Sequence, residues 1–143
     1  MQVFRGLDQD NATLVGWGVR AMVVSPVADG VAARRVAGLG GIVETVDEVF
    51  LGLGALIDDP AGYGLLVMEC DAFGGIDAGR RAFAMLGELS RKIPVILITS
   101  DCPEQTFPSD RRAPIILRAP VSAVALRVGF EYAFRGRQSW RAA

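Results

Sequence analysis

Four short stretches carry the residue types that could do chemistry. Glu69, Cys70 and Asp71 stand in a row directly after the apolar run LLVM at 65–68. Ser25-Pro26 follows MVV, Thr99-Ser100 follows ILI, and Arg118-Ala119-Pro120 follows IIL. Carboxylates, a thiol and hydroxyls at strand ends are candidates for hard-cation binding, nucleophilic attack or phosphoryl capture. The chain contains no histidine. That excludes imidazole bases, histidine metal ligands and a phosphohistidine carrier role. Ser25 and Cys70, the candidate nucleophiles, therefore have no obvious base. The segment VVSPVADGVAA at 23–33 lacks the glycine spacing of a phosphate-cradling loop.

Other constellations have plainer readings. Asp58-Asp59 and Asp8/Asp10 resemble metal-ligand pairs, but aspartates beside Pro or Asn are commonly turn residues. Arg111-Arg112 and the basic tail come without a recognition helix or a series of stacking aromatics, so a solvated face is expected and nucleic acid is not. Cys70 and Cys102 follow successive strands. They are either a redox pair on one rim or two small, partly buried residues.

The 143 residues suit one domain with its own core, and 51% of them are apolar. Fifteen basic against sixteen acidic residues leave a net charge of −1, so no global field draws nucleic acid or an anionic membrane. The start, MQVFRGLDQDNATLVGWG, has early acids and no sustained apolar run, and no stretch has the length of a membrane span. Two cysteines without an export signal point to a reducing, cytoplasmic setting.

Positioning these groups requires a sheet. Apolar runs at 21–24, 42–46, 65–68, 94–99 and 115–117 read as strands. Helical periodicity is expected at 29–39, 48–57, 77–91 and from Ser122, a capping residue, to about 134. Continuously apolar strands separated by helices imply a parallel sheet covered on both faces. The fold class is therefore α/β, three-layer and doubly wound (βα)5, with functional groups at the carboxyl ends of the strands. Residues 1–19 form an N-terminal extension, 20–135 the domain and 136–143 a tail expected to be a mobile end.

With that order in place, the segments YGLLVMECDAFGGIDA (63–78), IPVILITS (93–100) and IILRAP (115–120) together resemble response-regulator receiver domains of the CheY-like superfamily. The resemblance covers residues 20–135 and implies a flavodoxin-like sheet of order 2-1-3-4-5. A receiver needs two acids after strand one and an acceptor Asp after strand three, which hold Mg²⁺. It also needs a Thr or Ser after strand four and a Lys after strand five. Here only Thr99 matches cleanly. Ser25-Pro26 stand for the acids, and Ala119 falls at the Lys position, one residue after Arg118. Counting forward from Tyr63 puts Glu69 at the acceptor position, counting back from Asp77 puts Cys70 there, and Asp71 fits neither count.

The resemblance thus implies a degenerate phosphoacceptor pocket made of Ser25, Pro26, Glu69, Cys70, Asp71, Thr99, Ser100, Arg118, Ala119 and Pro120. Glu69 could act as a permanent phosphate mimic, paired to Arg118, or be a solvated rim carboxylate. Thr99-Ser100 could be a conformational switch or a cap. No catalytic residue, metal or cofactor is expected. The expected role is a stand-alone pseudo-receiver that binds a histidine kinase, response regulator, output protein or second copy of itself. The alternatives are an atypical receiver phosphorylated on Asp71 and a small flavodoxin-like enzyme or ligand binder. Pro103 and Pro108 disfavour the family's fourth helix, leaving a turn of helix and a loop with Phe107 exposed. Phe107, Arg111, Arg112 and Arg118 are then the candidate partner surface, because receivers use that side for partners and dimers.

Overall fold

The structure, a computed structural model, describes residues 17–142. Residues 1–16, including Asp8 and Asp10, lie outside the described part. Five strands, β1 (Arg20–Val24), β2 (Ile42–Val46), β3 (Leu65–Glu69), β4 (Val95–Thr99) and β5 (Ile115–Arg118), form one sheet in the order β2-β1-β3-β4-β5. All four pairings are parallel, which requires crossovers between successive strands. Helices α1 (Val31–Gly38) and α5 (Ala123–Ala142) cover one face, and α2 (Val49–Asp58) and α3 (Ile76–Leu86) the other. A short α4 (Leu89–Lys92) precedes β4.

Strand alternation divides the core in two. Ala21, Val23, Leu65, Val67, Ile96, Ile98 and Leu117 pack with Val36, Leu126 and Phe130 on one side. Met22, Val24, Leu66, Met68, Leu97 and Ile116 pack with Leu53, Leu56, Ala82 and Leu86 on the other. The central strands are buried on both faces, as their continuous apolar runs require. Glu48 starts α2 by accepting from the amides of Phe50 (3.1 Å) and Leu51 (3.2 Å).

Two glycines that weaken helix propensity are used for close approach. A Cβ on Gly52 would lie 2.8 Å from Val24 Cγ2, and one on Gly79 would lie 2.6 Å from Cys70 Sγ. The helix expected over 77–91 is broken at Gly87, whose φ of +55° suits glycine and stops α3. The tail also departs from expectation: α5 continues to Ala142 instead of ending near 134.

The largest departure is the strap from 100 to 113. It contains no helical turn. Thr106 instead makes an antiparallel bridge to Ile116 of β5, with N–H···O distances of 2.8 and 3.0 Å. Phe107, expected to be exposed, is half-buried: it packs edge-on against Tyr132 of α5, with centroids 5.5 Å apart. The Tyr132 hydroxyl donates to the Pro108 carbonyl. Arg111 donates to the carbonyls of Arg91 (2.9 Å) and Ala133 (3.0 Å), which ties the strap to α4 and α5. Phe107 and Arg111 therefore hold the strap in place, and Phe107 is half-buried where exposure was expected. The physical reason is that two prolines remove amide donors, so side-chain anchors replace a helical ladder. Arg112 is exposed and lies 3.9 Å from Asp110.

Candidate functional site

The carboxyl ends of β1, β3, β4 and β5 bring the sequence-predicted rim residues together. Register fixes the arrangement: Val24 pairs with Met68, Glu69 with Ile98, and Thr99 with Arg118. Ser25, one residue past β1, is buried at 1% exposure. Its hydroxyl donates to Glu69 Oε2 at 3.0 Å and accepts from the Val27 amide at 3.3 Å. The Glu69 carboxylate therefore sits at the rim beside the end of β1.

Cys70 points elsewhere. Alternation turns it to the α2/α3 face, where it is fully buried under Gly79, with its thiol directed at the Met68 carbonyl. Burial pushes this thiol up to about 12, so it stays protonated and a poor nucleophile. Cys102 directs its thiol at the Thr99 carbonyl, and both cysteines are free.

Asp71 lies in the 3₁₀ turn Cys70–Phe73 that follows β3. Partial burial works against its charge, but hydrogen bonds from Ser100 and Thr99 outweigh that and hold its carboxyl below the usual range. The Thr99 hydroxyl donates to Asp71 Oδ1 at 3.0 Å, and the Ser100 amide reaches both carboxylate oxygens at 3.1 Å. Thr99 Oγ1 also accepts from the Asp101 amide at 3.1 Å, so it caps the turn after β4. These residues were expected on one rim, but the particular hydrogen bonds that join the β3 and β4 loops were not legible from spacing.

Arg118 does not reach Glu69. It is exposed, its side chain donates to the Pro103 carbonyl, and its amide donates to Gln105 Oε1 at 3.1 Å. Alternation explains this, since Leu117 is buried and Arg118 follows it at the strand's end. Of the two readings of Glu69, the one that pairs it with Arg118 is therefore not realised, and Arg118 instead ties β5 to the strap. Ala119, with no side chain beyond Cβ, leaves its side of the rim open. A cavity of about 260 Å³ results. Its apolar wall includes Pro26, Val31, Ile98, Ala119 and Pro120, and Glu69 and Asp71 supply its carboxylates.

A hydrated Mg²⁺ does not fit these donors. It prefers an octahedron of oxygens anchored by carboxylates. At the end of β1 the chain offers a hydroxyl already committed to Glu69, and a proline. The Asp71 carboxylate accepts from Thr99 and Ser100 and keeps further lone pairs, so the misfit lies at the end of β1, where no acid stands. Among the described residues, no group of three or more His, Cys, Asp or Glu could hold a metal ion.

A second polar cluster, unforeseen in the sequence, lies beside the start of β1. Arg20 donates to Glu44 Oε1 at 2.7 Å and stacks 4.5 Å from the Tyr63 ring centre, and the Tyr63 hydroxyl donates to Glu44 Oε2. The bond from Tyr63, then that from Arg20, holds the Glu44 carboxyl below its ordinary range. The β1–β2 register, which sets Met22 opposite Glu44, and the β1–β3 pairing, which sets Ala21 opposite Leu65 and so brings Tyr63 to the start of β1, unite these residues.

No protein-family model matches the sequence, and no curated protein matches it significantly. Solved structures do match. A response regulator receiver domain protein from Clostridium thermocellum superposes with a TM-score of 0.63 at 15% identity, over 85% of this chain and 98% of its own. A response regulator receiver protein from Burkholderia phymatum gives 0.58 at 20%, over 81% and 95%. A pilus assembly-related protein from Burkholderia pseudomallei gives 0.63 at 23%, over 82% and 90%. The chain has the CheY-like receiver fold that its sequence resembles. No helix among the described residues is long and apolar enough to cross a membrane.

Proposed function

We propose that this chain is a pseudo-receiver of two-component-type signalling. It works in the cytoplasm by contact with a signalling protein and not as an enzyme. The carrying observation is the charge layout of the rim. Glu69, the carboxylate in strand register at the end of β3, is bonded by Ser25. The residue just past β5 on the same cleft is Ala119, and the neighbouring Arg118 turns away to the strap. Aspartyl phosphorylation needs a metal and a cation to offset charge on the transferred phosphoryl oxygens, and each such contact is typically worth several kcal/mol. Receiver proteins among the structural neighbours support a signalling setting.

One observation favours a second reading, an atypical receiver that uses Asp71. Its carboxylate already touches Thr99 and Ser100, the groups that would meet a phosphoryl oxygen. Incubation with acetyl phosphate and Mg²⁺, followed by intact-mass measurement beside a phosphorylatable receiver, separates the two. The expected result is an unchanged mass. One added phosphoryl group, lost in Asp71→Asn, would establish the second reading instead.

A further inference from the structure

The rim cleft combines features that a vestigial site has no need to keep together. Neither Glu69 nor Asp71 has an ion pair among the described residues. Their hydrogen bonds come from the uncharged donors Ser25, Thr99 and Ser100. The walls beside them are apolar, and Val31, which lines the cleft, is 45% exposed. Arg118, the cation next to the Ala119 position, is anchored to the strap. The cleft thus presents negative charge under a greasy collar, with space where Ala119 has no long side chain.

We propose that this cleft takes an arginine side chain from a protein partner, whose guanidinium meets Glu69 and Asp71 while its methylene stem lies against Pro26, Val31 and Pro120. The proposal rests on the pseudo-receiver reading and deepens it: the partner supplies the cation that β5 lacks. Guanidinium suits the site for three reasons. It is more weakly hydrated than ammonium, so entering an apolar collar costs it less. Its five donors can serve two carboxylates at once. Its aliphatic stem fits apolar walls.

The test uses n-butylguanidinium as the probe, read by amide chemical shifts of the full chain, with n-butanol and MgCl₂ as parallel titrants. The probe is expected to move amides at 25–32, 69–72 and 118–121. Glu69→Gln should weaken its apparent affinity about fivefold, the upper end for a solvent-accessible ion pair. Ala119→Lys, which puts an ammonium into the cleft from this chain, should abolish the response. The amide spectra also report whether each variant is folded. Equal shifts with n-butanol, or an undiminished response in either variant, would overturn the arginine-binding proposal alone. If MgCl₂ moves the same amides and acetyl phosphate adds mass, the pseudo-receiver reading falls and this inference falls with it.

Discussion

Two polar clusters in this molecule hold carboxylates in opposite ways. Beside the start of β1, Glu44 receives both a guanidinium and a phenol, so its charge is matched within the chain. At the other ends of the strands, Glu69 and Asp71 receive hydroxyls and an amide and, among the described residues, no cation. The contrast is not a shortage of bases, because Lys and Arg number fifteen. A matched cluster can be explained by the fold alone. The rim pair has no such internal match, and it is there that the proposed partner arginine enters.

The contrast can be broken by measurement. The largest effect is expected beneath the rim. Gly79→Ala gains helix propensity, yet its methyl would press on Cys70 and Leu97. A net loss of about 1–3 kcal/mol in urea unfolding is expected. A stabilised variant would show that α3 can lift off the strand and that the rim floor is not fixed by packing.

Next comes the direct comparison. Glu44→Gln removes the charge shared by Arg20 and Tyr63 and should cost about 1 kcal/mol, limited by the exposure of the cluster. Glu69→Gln keeps an acceptor for Ser25 and should change stability by less than about 0.5 kcal/mol. If Glu69→Gln proves the more damaging, the rim carboxylate is structural and the contrast is lost.

The smallest effect concerns pH. The carboxyl of Asp71 is held below its ordinary value in the folded chain, so it contributes stability above the unfolded value of about 4. That contribution is lost as pH falls through the lower folded value. Asp71→Asn should therefore flatten the acid limb of a stability-versus-pH curve and leave the slope above about pH 6 unchanged. An identical acid limb in both proteins would mean that the Thr99 and Ser100 bonds do not favour the charged form.

Much of this architecture could be read from residue order. Apolar runs such as PVILIT and LLVM have no polar side to show to water, which already requires a sheet covered on both faces. The rim residues followed, because strand ends are set by those same runs. What could not be read depended on side-chain direction and long-range register. Arg118 was legible as a rim cation but not as a partner of Pro103, since the strap's path is fixed by Thr106 and Tyr132. The Arg20–Glu44–Tyr63 cluster left no local signal, being joined across 24 and 43 residues. Phe107 looked exposed because prolines around it argue against a helix but do not say what the loop packs on.

The Thr106–Ile116 bridge also bears on how copies of this protein could meet. An open outermost strand is a template onto which another chain can add its own backbone, the usual route to sheet-extended assemblies and fibrils. On β5 the amide and carbonyl of Ile116 are already satisfied by Thr106. The strap therefore works as a guard rail along that border, and association on this side has to proceed through side chains instead of through growth of the sheet.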